Sequence, residues 1–243
     1  MRYAILADIH SNLAALTEVF EDIRKKGGVD EIWCLGDIVG YGPDPEECIK
    51  LLRKYNPVCI SGNHDLGAAG KLELNFFNPM AAEACRWTAQ RLNPVDIRYL
   101  EDLPRIFQKS EFFMAHGSPK DPSLEYVMST SIAERNFPYF DTRFCLVGHT
   151  HVPMAFKQED KTYTSIPLLP GIGLVLGSHR MIINPGAVGQ PRDGDPRASY
   201  AIYDSEGKIL RVYRVAYNIR ATQDKMMKAG LPIQLVTRLE AGK

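Results

Sequence analysis

Five short clusters of acidic, imidazole and carboxamide side chains stand out in the first two-thirds of the chain. They are Asp8-Ile9-His10, Gly36-Asp37, Gly62-Asn63-His64-Asp65, His116-Gly117 and Gly148-His149-Thr150-His151. Five of the six histidines lie in them, which a random scatter would not produce. Carboxylate, imidazole and carboxamide donors without a thiolate suit Mn, Fe, Zn or Ni rather than a soft-metal site. One Asp-x-His pair proves little, because such pairs are commonly solvated loop residues. Asn63 alone would read as a turn residue in its Gly-Asn-His-Asp setting. The weight lies in the repetition: each cluster directly follows a run that reads as a strand.

The elements that must position these residues alternate. Tyr3 to Ala7 reads as a buried strand, and Asn12 as the cap of a helix with Leu13, Leu16, Phe20 and Ile23 on its apolar face. Gly27 and Gly28 stop that helix. Ile32 to Leu35 and Val58 to Ile60 are further strands, with a helix from Pro45 to Tyr55 between them. Pro79 to Leu92 reads as helix, and Phe112 to Ala115, Phe144 to Val147 and Met181 to Asn184 as strands. Ser199 to Tyr217 forms a hairpin turning at Asp204 to Gly207, and helices close the chain. This is an α/β pattern with buried strands and a more antiparallel second half. With no internal repeat or low-complexity linker, it predicts a single domain over residues 1–243. A helical insert is expected at about 66–110, and the C-terminal hairpin plus helices at about 199–243. In such sheets ligands bind beyond the carboxyl ends of the strands. The insert could cover such a site, although core packing is the commoner use of its Phe and Trp residues.

The 243 residues, 45% apolar and 24% charged, have ordinary globular composition and suffice for a sizeable core. Twenty-nine basic residues balance 29 acidic ones, which removes the electrostatic motive for a nucleic-acid or anionic-membrane partner. The longest apolar stretch, Pro167 to Gly177, is broken by Pro170, Gly171 and Gly173 and cannot span a bilayer. The apolar run before Asp8 is too short for a signal-peptide core, so a cytoplasmic location is expected. Cys34, Cys48, Cys59, Cys85 and Cys145 are odd in number and widely spaced, which argues for buried thiols rather than disulfides or a thiolate site. Gly-x-Ser-x-Gly, dinucleotide-binding and phosphate-loop motifs are absent.

The ordered series Asp8-x-His10, Gly36-Asp37, Gly62-Asn63-His64-Asp65, His116 and Gly148-His149-x-His151 resembles the calcineurin-like metallophosphoesterases. Residues 184–192, Asn-Pro-Gly-Ala-Val-Gly-Gln-Pro-Arg, resemble a loop of small prokaryotic members. The resemblance implies a two-sheet α/β/β/α sandwich with a dinuclear metal centre. It implies Asp8, His10 and His151 on one metal, Asn63, His116 and His149 on the other, and Asp37 bridging. His64 matches the histidine that contacts the phosphoryl oxygen or protonates the leaving group, with Asp65 as its expected catalytic neighbour. Many members carry a carboxylate three residues after the bridging Asp, often followed by Arg; here Gly40 and Tyr41 stand there. Arg192 is therefore a candidate phosphate-binding cation, beside Asn63 and His64, although Pro191-Arg192-Asp193-Gly194 reads equally well as a surface turn.

Two divalent ions about 3.5–4 Å apart can clamp the attacking and leaving oxygens of an in-line displacement, and bound water becomes hydroxide near neutral pH. The expected activity is hydrolysis of a phosphomonoester or phosphodiester in a small phosphorylated substrate or phosphoprotein. Mn²⁺ is the first candidate metal, with Fe, Zn or Ni behind it. A homo-oligomer is compatible with the sequence. The alternative is a non-catalytic protein-binding scaffold on the same fold, which would have no use for His64. His179, outside every motif, is expected to be structural or exposed.

Overall fold

The structure is a computed structural model that describes residues 1–243. Strand β1 (Arg2–Leu6) pairs parallel with β2 (Glu31–Cys34), and β2 with β3 (Val58–Cys59). The crossovers are α1 (Leu13–Lys25) and α2 (Pro45–Arg53). Asn12 caps α1 by accepting the Ala15 N–H at 3.2 Å, and Ala15, Leu16, Val19, Phe20 and Ile23 form its buried stripe. Three helices follow: α3 (Asn63–Ala68), α4 (Pro79–Arg91) and α5 (Pro94–Glu101).

A second sheet then begins with β4 (Ile106–Lys109) and β5 (Phe112–Ala115), continues through α6 (Thr130–Asn136), β6 (Phe144–Leu146), β7 (Met154–Glu159) and β8 (Thr162–Pro167). After β9 (Gly173–Val175) come β10 (Arg180–Asn184), β11 (Ala198–Asp204), β12 (Ile209–Val215), α7 (Ile219–Lys228) and α8 (Ile233–Ala241). The strand orders are β3-β2-β1-β11-β12-β9 and β4-β5-β6-β10-β7-β8. Strands β5, β6 and β10 are mutually parallel, as are β1, β2 and β3, so each sheet brings three carboxyl ends to one edge.

The sheets pack face to face. Ile5, Trp33 and Leu35 of the first meet Phe112, Met114 and Phe144 of the second, with the Trp33 and Phe112 rings 5.2 Å apart. On the outer faces, α1 and α2 cover the first sheet and α6 the second, which completes the α/β/β/α layering. No helix is long and apolar enough to cross a membrane.

Two features depart from the sequence reading. Residues 106–109, placed in a helical insert, form edge strand β4. Strands β7, β8 and β9 have no counterpart in the reading: β7 and β8 mix polar with apolar residues, and the three-residue β9 lies in the Gly- and Pro-broken stretch Pro167 to Gly177. The expected terminal hairpin is present as β11 and β12, and β11 lies antiparallel beside β1, in register Arg2↔Asp204 to Ile5↔Ala201. All five cysteines are buried and free.

Candidate metal centre

The residues Asp8, His10, Asp37, His149 and His151 all adopt positive φ, between 47° and 66°. Non-glycine residues rarely do so, and His and Asp tolerate it better than most. Each sits just past a strand, where the chain must turn sharply to aim a side chain along the sheet edge. The turns interlock: Asp8 N–H donates to Gly36 O (3.1 Å) and His10 N–H to Asp37 O (2.9 Å). Both Asp8 carboxylate oxygens accept from His149 N–H, at 3.2 and 3.1 Å. Asn184 at the end of β10 donates to Gly148 O (2.5 Å) and Thr150 Oγ1 (2.9 Å), holding the turn that carries His149 and His151.

The side chains converge. His151 Nε2 is 3.3 Å from Asp8 Oδ1, and His10 Nε2 is 3.1 Å from His151 Nε2. Asp37 Oδ2 lies 3.5 Å from His10 Nε2 and 3.2 Å from His116 Nε2. Donor atoms of Asp8, His10 and His151 gather within 4.8 Å of one another; so do those of Asp37, His116 and His149, and of His10, Asp37 and His64. Asp37 is thus common to two groups. Asn63 and His64 open α3, with the His64 N–H donating to Asp37 Oδ1 at 2.8 Å.

Ring orientation is fixed from behind. Val39 O, Leu35 O and Gln190 O lie 3.2, 2.7 and 2.6 Å from Nδ1 of His10, His116 and His151, so these three rings present Nε2 to the cluster. His149 is reversed: its Nε2 lies 3.2 Å from Leu124 O, leaving Nδ1 for the site. Such outer partners set both tautomer and aim. Asp37 Oδ2, Asn63 Oδ1 and His116 Nε2 are buried without a hydrogen-bond partner. Buried polar atoms are nearly always satisfied, so three orphans in one cluster fit divalent cations as their partners.

Burial sets the charges, modified by neighbours. It drives His64 down to about 4 and His149 to about 3, and holds His10 and His151 well below the usual imidazole range. Burial also acts to lower His116, but the adjacent Asp37 carboxylate overrides it and lifts His116 to about 9. Burial acts to raise Asp37, yet His116 and His64 keep it ionised well below the usual carboxylate range. Asp8 is pushed up to about 7 by burial against the pull of His116.

Asp65 does not reach the His64 ring. Its oxygens accept from Val39 N–H (3.0 Å) and Gly62 N–H (2.9 Å), which ties the Asp37 loop to the start of α3. His64 Nδ1 is buried and unpartnered, and a Cβ on Gly40 would lie 2.4 Å from it. No side chain, acidic or otherwise, fits at position 40 with this backbone. Arg192 lies beside the cluster: its N–H donates to His151 O (3.3 Å), Nη2 donates to Gln190 Oε1 (2.8 Å), and the guanidinium stands 5.7 Å from the Tyr41 ring centre. His179 is remote and half-exposed, 3.6 Å from Glu159.

Sequence reasoning did not find the aromatic walls. Tyr41 packs against His10 and His64, Phe77 meets His64 edge-on at 5.0 Å, and Tyr126 stacks on His149 at 3.8 Å. Nor did it find the four carbonyl partners, which any residue type could supply. Phe77 and Trp87 pack with α4, α7 and α8 around Tyr41, so the expected insert contributes a wall.

A family model for the calcineurin-like phosphoesterase superfamily domain matches residues 1–208. An uncharacterized protein of Methanocaldococcus jannaschii is 37% identical over 244 residues, covering 99% of this chain and 98% of that one. The crystal structure of a metallophosphoesterase from Sphaerobacter thermophilus aligns with a TM-score of 0.91 at 47% identity, covering 100% of this chain and 99% of that chain. A symmetrical bis(5'-nucleosyl)-tetraphosphatase of Thioalkalivibrio sulfidiphilus is 33% identical over 66 residues, 26% of this chain and 24% of that protein.

Proposed function

The chain belongs to the calcineurin-like phosphoesterase superfamily, and from that premise we propose a phosphohydrolase that uses two divalent metal ions to cleave a phosphomonoester or phosphodiester. One observation carries this reading. Seven acidic and imidazole side chains from five strand ends meet in one buried cluster, and Asp37 Oδ2, Asn63 Oδ1 and His116 Nε2 beside one another there make no hydrogen bond.

In this reading Asp8, His10 and His151 would hold one ion, Asn63, His116 and His149 the other, and Asp37, which lies in both groups, would be shared between them. When bound, such a pair supplies Lewis acidity and an activated water for in-line attack at phosphorus. The chain's residues do the rest. Backbone carbonyls behind four histidines keep the ligand nitrogens aimed inward. His64, flanked by Tyr41 and Phe77, contacts the phosphoryl oxygen or hands a proton to the leaving group. Arg192 binds a phosphate oxygen. Asp65 acts through the backbone it anchors.

Mn²⁺ is the proposed metal, given an oxygen and nitrogen donor set without thiolate. A small phosphorylated compound is the proposed substrate, supported by the short stretch of likeness to a bis(5'-nucleosyl)-tetraphosphatase. We place the enzyme in the cytoplasm, with residues 1–243 acting as one unit. The test is hydrolysis of p-nitrophenyl phosphate and bis-p-nitrophenyl phosphate by Mn²⁺-loaded protein. Turnover of either is expected, and inertness towards both overturns the reading. Asp37→Asn should lose activity by at least about 10³-fold together with bound metal, whereas His64→Ala should lose about 10²–10⁴-fold with metal content intact.

A further inference from the structure

The four carbonyl groups that aim the ligand histidines are not equivalent. Val39, Leu35 and Gln190, behind His10, His116 and His151, are buried residues of the core. Leu124, behind His149, is half-exposed. His149 is thus the ligand held from a surface loop, residues 117–128 between β5 and α6.

That loop is tightly tied. Gly117 N–H donates to Pro122 O (2.8 Å) and Ser118 N–H to Asp121 O (3.0 Å), which folds the chain back on itself. A Cβ on Gly117 would stand 2.7 Å from Asp121 O, so the approach requires glycine. Glu125 Oε2 accepts from Ser118 Oγ and from Asn136 Nδ2, both at 2.7 Å. Lys120 N–H donates to Asn136 Oδ1 at 3.0 Å, which pins the loop to the end of α6. Val127 is buried in one apolar cluster with Ala133 of that helix.

Between these anchors the loop makes two contacts with His149. Leu124 O lies 3.2 Å from Nε2, and the Tyr126 ring stacks on the imidazole with centroids 3.8 Å apart and planes inclined by 20°. The carbonyl fixes the tautomer; the aromatic face stops the imidazole from swinging out of its plane. Tyr126 has no part in the proposed hydrolysis, and it is 41% exposed, so truncating it opens no sealed void in the core.

We propose that Tyr126 is a positioning residue for the second ion. With Leu124 it holds His149 Nδ1 towards the site shared with Asn63 and His116. Retention of that ion, and not of the one on Asp8, His10 and His151, then depends on the seating of loop 117–128. The role rests on the two-ion reading, and it is tested by metal uptake and ring geometry rather than by turnover.

Calorimetric titration of metal-free protein with Mn²⁺ should resolve two binding steps. Tyr126→Ala should weaken one step by about 10- to 100-fold, the usual cost of removing a support behind a metal ligand, and leave the other within about twofold. Tyr126→Phe keeps the ring and should bind as the wild type does. His149→Ala should remove the same step, and adding Tyr126→Ala to it should have no further effect. A merely structural tyrosine would weaken both steps or neither. Proton NMR of the metal-free protein supplies a second readout: the Tyr126 ring current should shift the His149 ring protons upfield, in Tyr126→Phe as well but not in Tyr126→Ala. Two ions bound alike by wild type and Tyr126→Ala, an equal weakening of both steps, or a wild type without the upfield shift overturns the positioning role and leaves the two-ion reading standing. Wild-type protein that takes up fewer than two ions overturns both.

Discussion

At Asp8, His10, Asp37, His149 and His151 the backbone is bent into the left-handed region, at a cost of about 1 kcal/mol or more per residue. Strain of this kind persists only where surrounding contacts over-determine it, and here the interlocked N–H bonds of the ligand turns do so. The protonation pattern makes a prediction. In metal-free protein at neutral pH, His116 (about 9) carries its proton and Asp8 (about 7) carries one in part. Ligands must shed protons to bind a cation, so Mn²⁺ loading should release between one and two protons. The sign follows: apparent affinity should rise by about tenfold per pH unit between about 7 and 9, then level off as His116 deprotonates unaided. Calorimetry in buffers of different ionisation enthalpy counts the protons, and zero release would contradict the assignment. Gly40→Ala tests the other residue-scale feature. Its φ of +92° and a Cβ contact 2.4 Å from His64 Nδ1 predict a loss of about 1–3 kcal/mol and a displaced His64. Thermal melts and kcat should fall together while metal content is retained.

Among the elements, α1 links the site to the C-terminal helices. Asn12 caps the helix through Oδ1, receives Thr222 on the same oxygen, and donates from Nδ2 to Gly189 O at 2.8 Å. Asn12→Ala should therefore cost more than a simple cap, about 2–3 kcal/mol, because the Gly189 carbonyl is left buried and unpaired. Urea denaturation checks this; a loss below about 1 kcal/mol would reduce Asn12 to a cap. The first strands, α1 and the strand-end ligands were legible in the sequence because burial on both faces yields unbroken apolar runs ending at turn residues. Strands β7 and β8 were not, since their mixed polar and apolar residues form no unbroken apolar run, and edge strand β9 is fixed by its pairing with the distant β12. Asp65 was misplaced for a similar reason. Adjacency to His64 says nothing about side-chain direction at a helix start, where a third-position acid turns back to the N–H of the capping residue, here Gly62.

For the molecule as a whole, the buried cluster of unpartnered carboxylate and imidazole atoms is a destabilising feature that cation binding would offset. Mn²⁺ at a hundredfold excess over its dissociation constant should stabilise the fold by about 2.7 kcal/mol per independent site, and a chelator should remove that gain. Scanning calorimetry with and without Mn²⁺ measures it, and an unchanged melting temperature would contradict the ligand set. The inter-sheet layer is the other global determinant. Phe144→Ala, emptying a position between Trp33, Phe112 and Met181, should cost about 3–5 kcal/mol without altering metal stoichiometry in the folded fraction. The seating of β11 against β1 has a further result in time. Strand β1 finds β2 early, but its other edge is paired only when residues 201–204 exist, so a nascent chain leaving the ribosome cannot close its first sheet until β11 has been made. High contact order of this sort slows folding. The centre would therefore be loaded after synthesis, from whatever ions the finished protein then meets.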